Sequence, residues 1–148
     1  MKVSNLSFGA SSLGGVFHNV REAEGIKAVH TAVDNGMNFI DVSPYYGHYK
    51  AEIVLGKALK DIPRDKYYLS TKVGRYGKDG VNLWDYSAKR AIESVYESME
   101  RLHVDYIDLI NVHDVRDTSD SYESNKRRQQ ACNGTILGSR NFYFDAMG

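Results

Sequence analysis

Asn38-Phe39-Ile40-Asp41-Val42-Ser43-Pro44-Tyr45-Tyr46-Gly47 begins as an apolar run and ends as a turn. Phe39, Ile40 and Val42 read as the end of a buried strand. Ser43-Pro44 breaks that strand, because proline has no N–H to give to a ladder. A carboxylate, Asp41, is left at the strand's end, and a phenol, Tyr46, follows on the loop. Parallel α/β enzymes place their chemistry at such C-terminal strand rims.

On the N-terminal side of this stretch, residues 22–35 carry a helical period. Ala23, Ile26, Val29 and Val33 are predicted on the inner face, with Glu22, Glu24, Lys27 and Asp34 outside it. Asn35-Gly36 predicts a left-handed cap. Before that helix, Val3, Leu6 and Phe8 lead into Gly9-Ala10-Ser11-Ser12-Leu13-Gly14-Gly15. This reads as a short strand over 6–9 and a glycine-rich turn. The run lacks the G-x-G-x-x-G spacing and no helix follows at once. A tight turn needing glycine dihedrals therefore outweighs a phosphate cradle.

On the C-terminal side, residues 51–59 predict a second helix with Val54, Leu55 and Ala58 inward, stopped by Pro63. Residues 67–74 are rich in aromatic and β-branched side chains and predict a third strand ending near Lys72. A loop over 75–85 holds the single tryptophan, Trp84. Ser87 is a good N-cap for a third helix, with Ala88, Ile92, Val95, Met99 and Leu102 inward. Residues 105–113 are nearly continuous in apolar side chains, as a strand covered on both faces should be, and end in His113. Strand and helix thus alternate, which predicts parallel strands with all their ends on one face. After Val115 the pattern stops. Residues 116–125 are polar, 126–131 lack an apolar stripe, and neither a fourth crossover helix nor a fifth strand of comparable quality is visible.

Composition narrows the function. The chain has 148 residues with 19 basic and 19 acidic side chains, so its formal net charge is zero. That balance argues against nucleic acid, and the short Lys126-Arg127-Arg128 cluster reads as a solvated face. No apolar run approaches the ~20 residues that span a bilayer, and no signal segment opens the chain. The lone Cys132 has no internal disulfide partner, which points to a reducing cytoplasm. His18, His30, His48, His103 and His113 show no metal-ligand spacing, and no G-x-S-x-G hydrolase motif occurs.

What remains is the rim. Asp41, Tyr46, Lys72 and His113 come from three successive strand ends, and a parallel sheet brings those ends together. A phenol ordinarily releases its proton near pH ~10, and an adjacent ammonium favours phenolate. A buried ammonium needs an anion, which a carboxylate supplies. A neutral imidazole donates to a carbonyl or alkoxide oxygen and orients it. Such a set moves a proton to or from oxygen. Its natural partner step is hydride transfer, which side chains cannot perform and a nicotinamide can.

These residues resemble the aldo/keto reductase family. The resemblance rests on Leu6-Ser7-Phe8-Gly9-Ala10-Ser11-Ser12-Leu13-Gly14-Gly15, on Gly36 to Gly47 with its acid–x₄–tyrosine–glycine spacing, on Leu69-Ser70-Thr71-Lys72-Val73-Gly74, and on Arg101 to Asp114. Within the family it is similar to the dehydrogenases that oxidise L-galactose, L-fucose and related aldoses at C1. The resemblance implies Tyr46 as proton donor or acceptor, Lys72 tuning it, Asp41 holding Lys72, and His113 orienting the substrate oxygen. It also implies NAD or NADP as cofactor, with Gly9, Ala10 and Ser11 by the nicotinamide and Asp41 contacting its ribose. The partner would be a small sugar or carbonyl substrate.

The resemblance covers residues 2–114, whereas an eight-unit barrel typically takes ~250 residues. The expected fold is a parallel (β/α) barrel of the TIM type truncated to about its first four β/α units, over residues 1–115. Residues 116–148 are expected to form an irregular tail outside the family pattern. Four strands would leave two open edges, inviting self-association. The family's adenosine-phosphate site is built from later strands, which implies weak cofactor binding or none by this chain. Two functions follow from different classes: an NAD(P)-dependent oxidoreductase, or a catalytically inactive half-barrel.

Overall fold

The computed structural model describes residues 1–76 and 84–113. Their order is β1 (Phe8–Gly9), a 3₁₀ turn (Ala10–Gly14), α1 (Glu22–Asp34), β2 (Phe39–Asp41), α2 (Lys50–Leu59), a second 3₁₀ turn (Arg64–Lys66), β3 (Tyr68–Val73), α3 (Ala88–Leu102) and β4 (Leu109–Val112). The predicted alternation of strand and helix is present. The expected tail over 116–148, with Cys132 and the Lys126-Arg127-Arg128 cluster, lies outside the described residues.

The strands add in chain order, β1-β2-β3-β4, and every neighbouring pair is parallel. The helices follow the same order, α1 packing on α2 and α2 on α3. A sheet wound in one direction, with consecutive helices side by side, is an arc of a (β/α) barrel; a doubly wound sheet would reverse its strand order.

β3 shows how the two faces divide. Side chains alternate along a strand, and Thr71 reaches α2 while Ser70 and Lys72 reach β2. The apolar layer under the helices includes Val29, Ile40, Val54, Leu55, Ala58, Leu69, Val73, Val95 and Leu102, all buried. α2 and α3 approach so closely at Gly56 that a Cβ there would lie 2.2 Å from the Arg101 carbonyl oxygen. Within this layer sits one fully buried carboxylate. Glu52 of α2 accepts from Thr71 Oγ1 of β3 at 2.7 Å and from Arg101 Nε of α3 at 2.7 Å. One side chain thereby ties three elements together, and its charge is paired and hydrogen-bonded, as burial requires.

Several sequence expectations are corrected here. The glycine-rich run does turn tightly, as a 3₁₀ helix closed by Gly15 at φ 73°, but other readings change. Ala23 and Ala88 are exposed rather than inward. The buried face of α1 turns toward Gly25, Val29 and Ala32, and that of α3 includes Ala91, Ser94 and Ser98. Small residues let the helices lie close, and an apolar count passes over glycine and serine. Ser87 does cap α3, its side chain accepting from the Arg90 N–H.

β4 starts only at Leu109, not at 105. The Asp108 N–H still donates to the Leu69 carbonyl at 3.0 Å, but the Asp108 carboxylate takes the Leu69 N–H at 2.8 Å in place of an earlier carbonyl, so the ladder runs no further back. The same carboxylate receives Arg64 Nη2 at 2.5 Å, and the Arg64 guanidinium lies 3.7 Å from the Tyr106 ring centroid and 4.7 Å from that of Tyr67. Burial pushes the Tyr67 phenol above its ordinary range, against the opposing pull of Arg64. β4 is also not covered on both faces: Leu109, in register with Ser70 on the inner face, is 37% exposed.

Two predictions follow from these contacts. Glu52→Ala leaves Arg101 and Thr71 without their buried acceptor and should cost about 3 kcal/mol or more in a urea melt, whereas Thr71→Val should cost less. On the α3 surface, the hydrogen bonds from Arg90 hold the Glu97 carboxyl below the usual carboxylate range. A lowered folded value contributes stability above the unfolded value of about 4.3 and loses it as pH falls through the folded value. Glu97 is substantially exposed, so the effect should stay below about 1 kcal/mol. Glu97→Gln should therefore lower the urea midpoint at neutral pH, with the difference fading as pH falls below about 4.

Candidate active site

The C-terminal strand ends gather the four rim residues. Asp41 closes β2 in register with Gly9 of β1 on one side and Ser70 of β3 on the other. Lys72 lies two residues beyond Ser70 on the same face. Its ammonium meets Asp41 Oδ2 at 2.6 Å and the Val42 carbonyl at 2.9 Å, and lies 4.9 Å from the Tyr46 ring centroid. A largely buried cation (side chain 13% exposed) is thus held by an anion, a carbonyl dipole and an aromatic ring.

His113 enters from the end of β4, its N–H bonded to the Val73 carbonyl at 2.8 Å. Its ring meets the Tyr46 ring edge-on, with centroids 5.7 Å apart at 85°. Asp41, Lys72, Tyr46 and His113 therefore form one contiguous group. Two supporting residues escaped the sequence reading. Asn111 Nδ2 donates to Ser70 Oγ at 3.0 Å, and Ser70 Oγ donates to Asp41 Oδ1 at 3.0 Å. Stepping back two residues from Lys72 would have found Ser70, since period two keeps it on the same face. Asn111 stands opposite Lys72 in the parallel register of β3 and β4.

The loop that carries Tyr46 is tightly wound. Ser43 and Pro44 are buried, and Ser43 Oγ and its carbonyl accept the N–H groups of Tyr45 and Tyr46. Gly47, His48 and Tyr49 then follow at φ 62°, 52° and 70°. Three successive left-handed residues, two of them not glycine, are costly, and the turn sits directly after the candidate proton donor. Gly47 also touches the 3₁₀ turn: a Cβ there would lie 2.1 Å from the Gly14 carbonyl oxygen. Close backbone approach to the tyrosine loop is thus one physical use of the glycine-rich run. Of the residues expected by a nicotinamide, Gly9 is exposed beside Asp41, Ser11 is half-buried and Ala10 is fully buried.

A cleft of about 420 Å³ is lined by His30, Asp34, Asp61 and Lys66 among others. It lies near the C-termini of α1 and α2, away from the rim. No group of three or more metal-ligating side chains occurs among the described residues.

The family model for the aldo/keto reductases matches residues 5–140. L-galactose dehydrogenase of Arabidopsis thaliana is 48% identical over 109 residues, which cover 72% of this chain and 33% of the relative. Among solved structures, the glycerol dehydrogenase AKR11B4 from Gluconobacter oxydans superposes with a TM-score of 0.68 at 30% identity, covering 89% of this chain and 42% of that one. An aldo/keto reductase from Klebsiella pneumoniae, solved with NADP and acetate, gives a TM-score of 0.63 at 25% identity over 75% of this chain and 35% of that one. The chain thus spans about a third of the length of the curated relative.

The glycine geometry yields a paired prediction. Gly47→Ala meets both a positive φ and a backbone atom, and should cost about 1–3 kcal/mol. Gly9→Ala, whose Cβ meets nothing within 4 Å, should leave the thermal midpoint nearly unchanged.

Proposed function

The chain belongs to the aldo/keto reductase family, and on that premise we propose that its strand-end group serves an NAD(P)-dependent oxidation of an aldose at C1, with an L-galactose- or L-fucose-like substrate and a lactone product. The observation that carries this reading is the Lys72 ammonium, bound to Asp41 at 2.6 Å and set 4.9 Å from the Tyr46 ring centroid, with His113 against the same ring.

In this reading Tyr46 takes the proton of the C1 hydroxyl as general base. The Lys72 ammonium, 4.9 Å from the Tyr46 ring centroid, stabilises the anionic tyrosine oxygen that accepts this proton. Asp41 keeps that ammonium in place and balances its charge. His113 donates to the substrate oxygen and orients it. A bound nicotinamide supplies the hydride acceptor that side chains lack. The surroundings of Gly9 fit such a ring: the strand end is exposed, a Cβ there would meet nothing within 4 Å, and Asp41 is its register partner. Gly9 and Ser11 would border it, Ala10 through its backbone, and Asp41 is the acid available to a ribose hydroxyl. The similarity to L-galactose dehydrogenase supports an aldose, and the Klebsiella structure solved with NADP supports a nicotinamide dinucleotide.

The test is sugar-dependent reduction of NAD⁺ or NADP⁺ at saturating cofactor, followed by the absorbance of the reduced nicotinamide. Turnover with L-galactose or L-fucose should fall by about 10²–10⁴-fold in Tyr46→Phe. Turnover that survives this change would overturn the role of Tyr46. Cofactor binding without oxidation of either sugar would overturn the substrate class, and no binding at all would favour the inactive half-barrel.

A further inference from the structure

Behind the four rim residues, a closed ring of contacts runs out from His113 and back to it. The His113 imidazole packs on Tyr45, with centroids 5.7 Å apart at 51°. The Arg75 guanidinium covers the Tyr45 ring at 3.5 Å from its centroid and also lies 4.6 Å from the Trp84 ring. Arg75 and Trp84 are joined again through an antiparallel backbone bridge. Trp84 stacks on Tyr86, 6.2 Å away at 23°. Tyr86 Oη donates to the His113 carbonyl at 3.1 Å, completing the circuit.

The circuit depends on a glycine. Gly74 stands at φ 99°, and a Cβ there would fall 2.3 Å from Tyr86 Cε1. The absence of a side chain at 74 is what lets Tyr86 reach the His113 carbonyl. Arg75, the next residue, then projects between the two aromatic arms. One arm fixes the imidazole ring and the other fixes the backbone that carries it.

From this geometry we infer that Tyr45, Arg75 and Tyr86 are positioning residues for His113, a cation–aromatic collar that sets the direction in which the imidazole donates. The catalytic consequence rests on the proposed role of His113; the collar itself does not. A guanidinium suits the hub because it is planar and stacks on rings on both sides, which a lysine ammonium cannot reproduce. A misdirected donor is costly, since a displacement of about 1 Å at a reacting group can remove on the order of a hundredfold in rate.

The experiment is nuclear magnetic resonance of the full chain without substrate, with the His113 ring protons assigned by comparison with His113→Asn. Those protons lie against the Tyr45 and Tyr46 rings and should carry ring-current shifts. Arg75→Met and Arg75→Lys should both move them toward the positions of an unstacked histidine, while the methyl signals of Val29 and Leu55 stay in place and report an intact core. Tyr86→Phe, which removes one hydroxyl and keeps the packing, should shift the His113 carbonyl signal. Unchanged His113 ring shifts in Arg75→Met overturn the proposal. If that variant fails to fold, unchanged His113 carbonyl and ring signals in Tyr86→Phe overturn it instead. Where the chain oxidises sugar, Arg75→Met should lower kcat by about ten- to a hundredfold with KM held. A wild-type chain with shifted His113 protons and no turnover would count against the aldose reading and leave the collar standing.

Discussion

The parallel register between β2 and β3 is the constraint on which the rim depends. Asp41 stands opposite Ser70, so Lys72, two residues on, projects on the same face and bends back to the carboxylate. A slip of one residue would turn Ser70 and Lys72 toward the helices and bring Thr71 to the rim. Two polar systems hold that register, a partly buried one on the inner face and a buried one on the outer. Inside, Asn111, Ser70, Asp41 and Lys72 are linked in series. Outside, Thr71 is bound to Glu52, which is bound to Arg101. A slip would strand both systems at once, and unsatisfied buried groups are expensive.

The same economy of space governs the backbone. Gly14 against Gly47, Gly56 against Arg101, and Gly74 under Tyr86 are three places where a methyl group would collide with its neighbour. The first brings the turn after β1 to the loop of Tyr46. The second sets the spacing of α2 and α3. The third lets an aromatic side chain reach the carbonyl of His113. In each case glycine serves an approach between segments distant in sequence.

Much of the fold was legible in advance. The period of α1 and α2, the Ser87 cap, the Pro44 break, the strand end at Asp41 and the one just after Lys72 are local signals, and local physics decides them. The rim residues were legible because alternating strands and helices force parallel strand ends onto one side. The misses have two causes. Ala23 and Ala88 fitted an apolar face, yet the helices turned toward Gly25, Ser94 and Ser98, whose small size permits closer packing. β4 looked longer because Leu109, Ile110 and Val112 extend a run that includes Ile107. The side chain of Asp108, occupying the Leu69 N–H, ended the ladder.

By itself, then, the sequence determined the order of elements, the handful of ionisable groups at strand ends and the breaks between them, because each depends on residues a few positions apart. Only the tertiary structure decided which groups meet. Ser70 with Asp41, Glu52 with Arg101 and Arg75 between Tyr45 and Trp84 are pairings across separate elements. No periodicity encodes them. They exist because the strand register, the glycine contacts and the demand that buried charge be paired are all satisfied by the same arrangement.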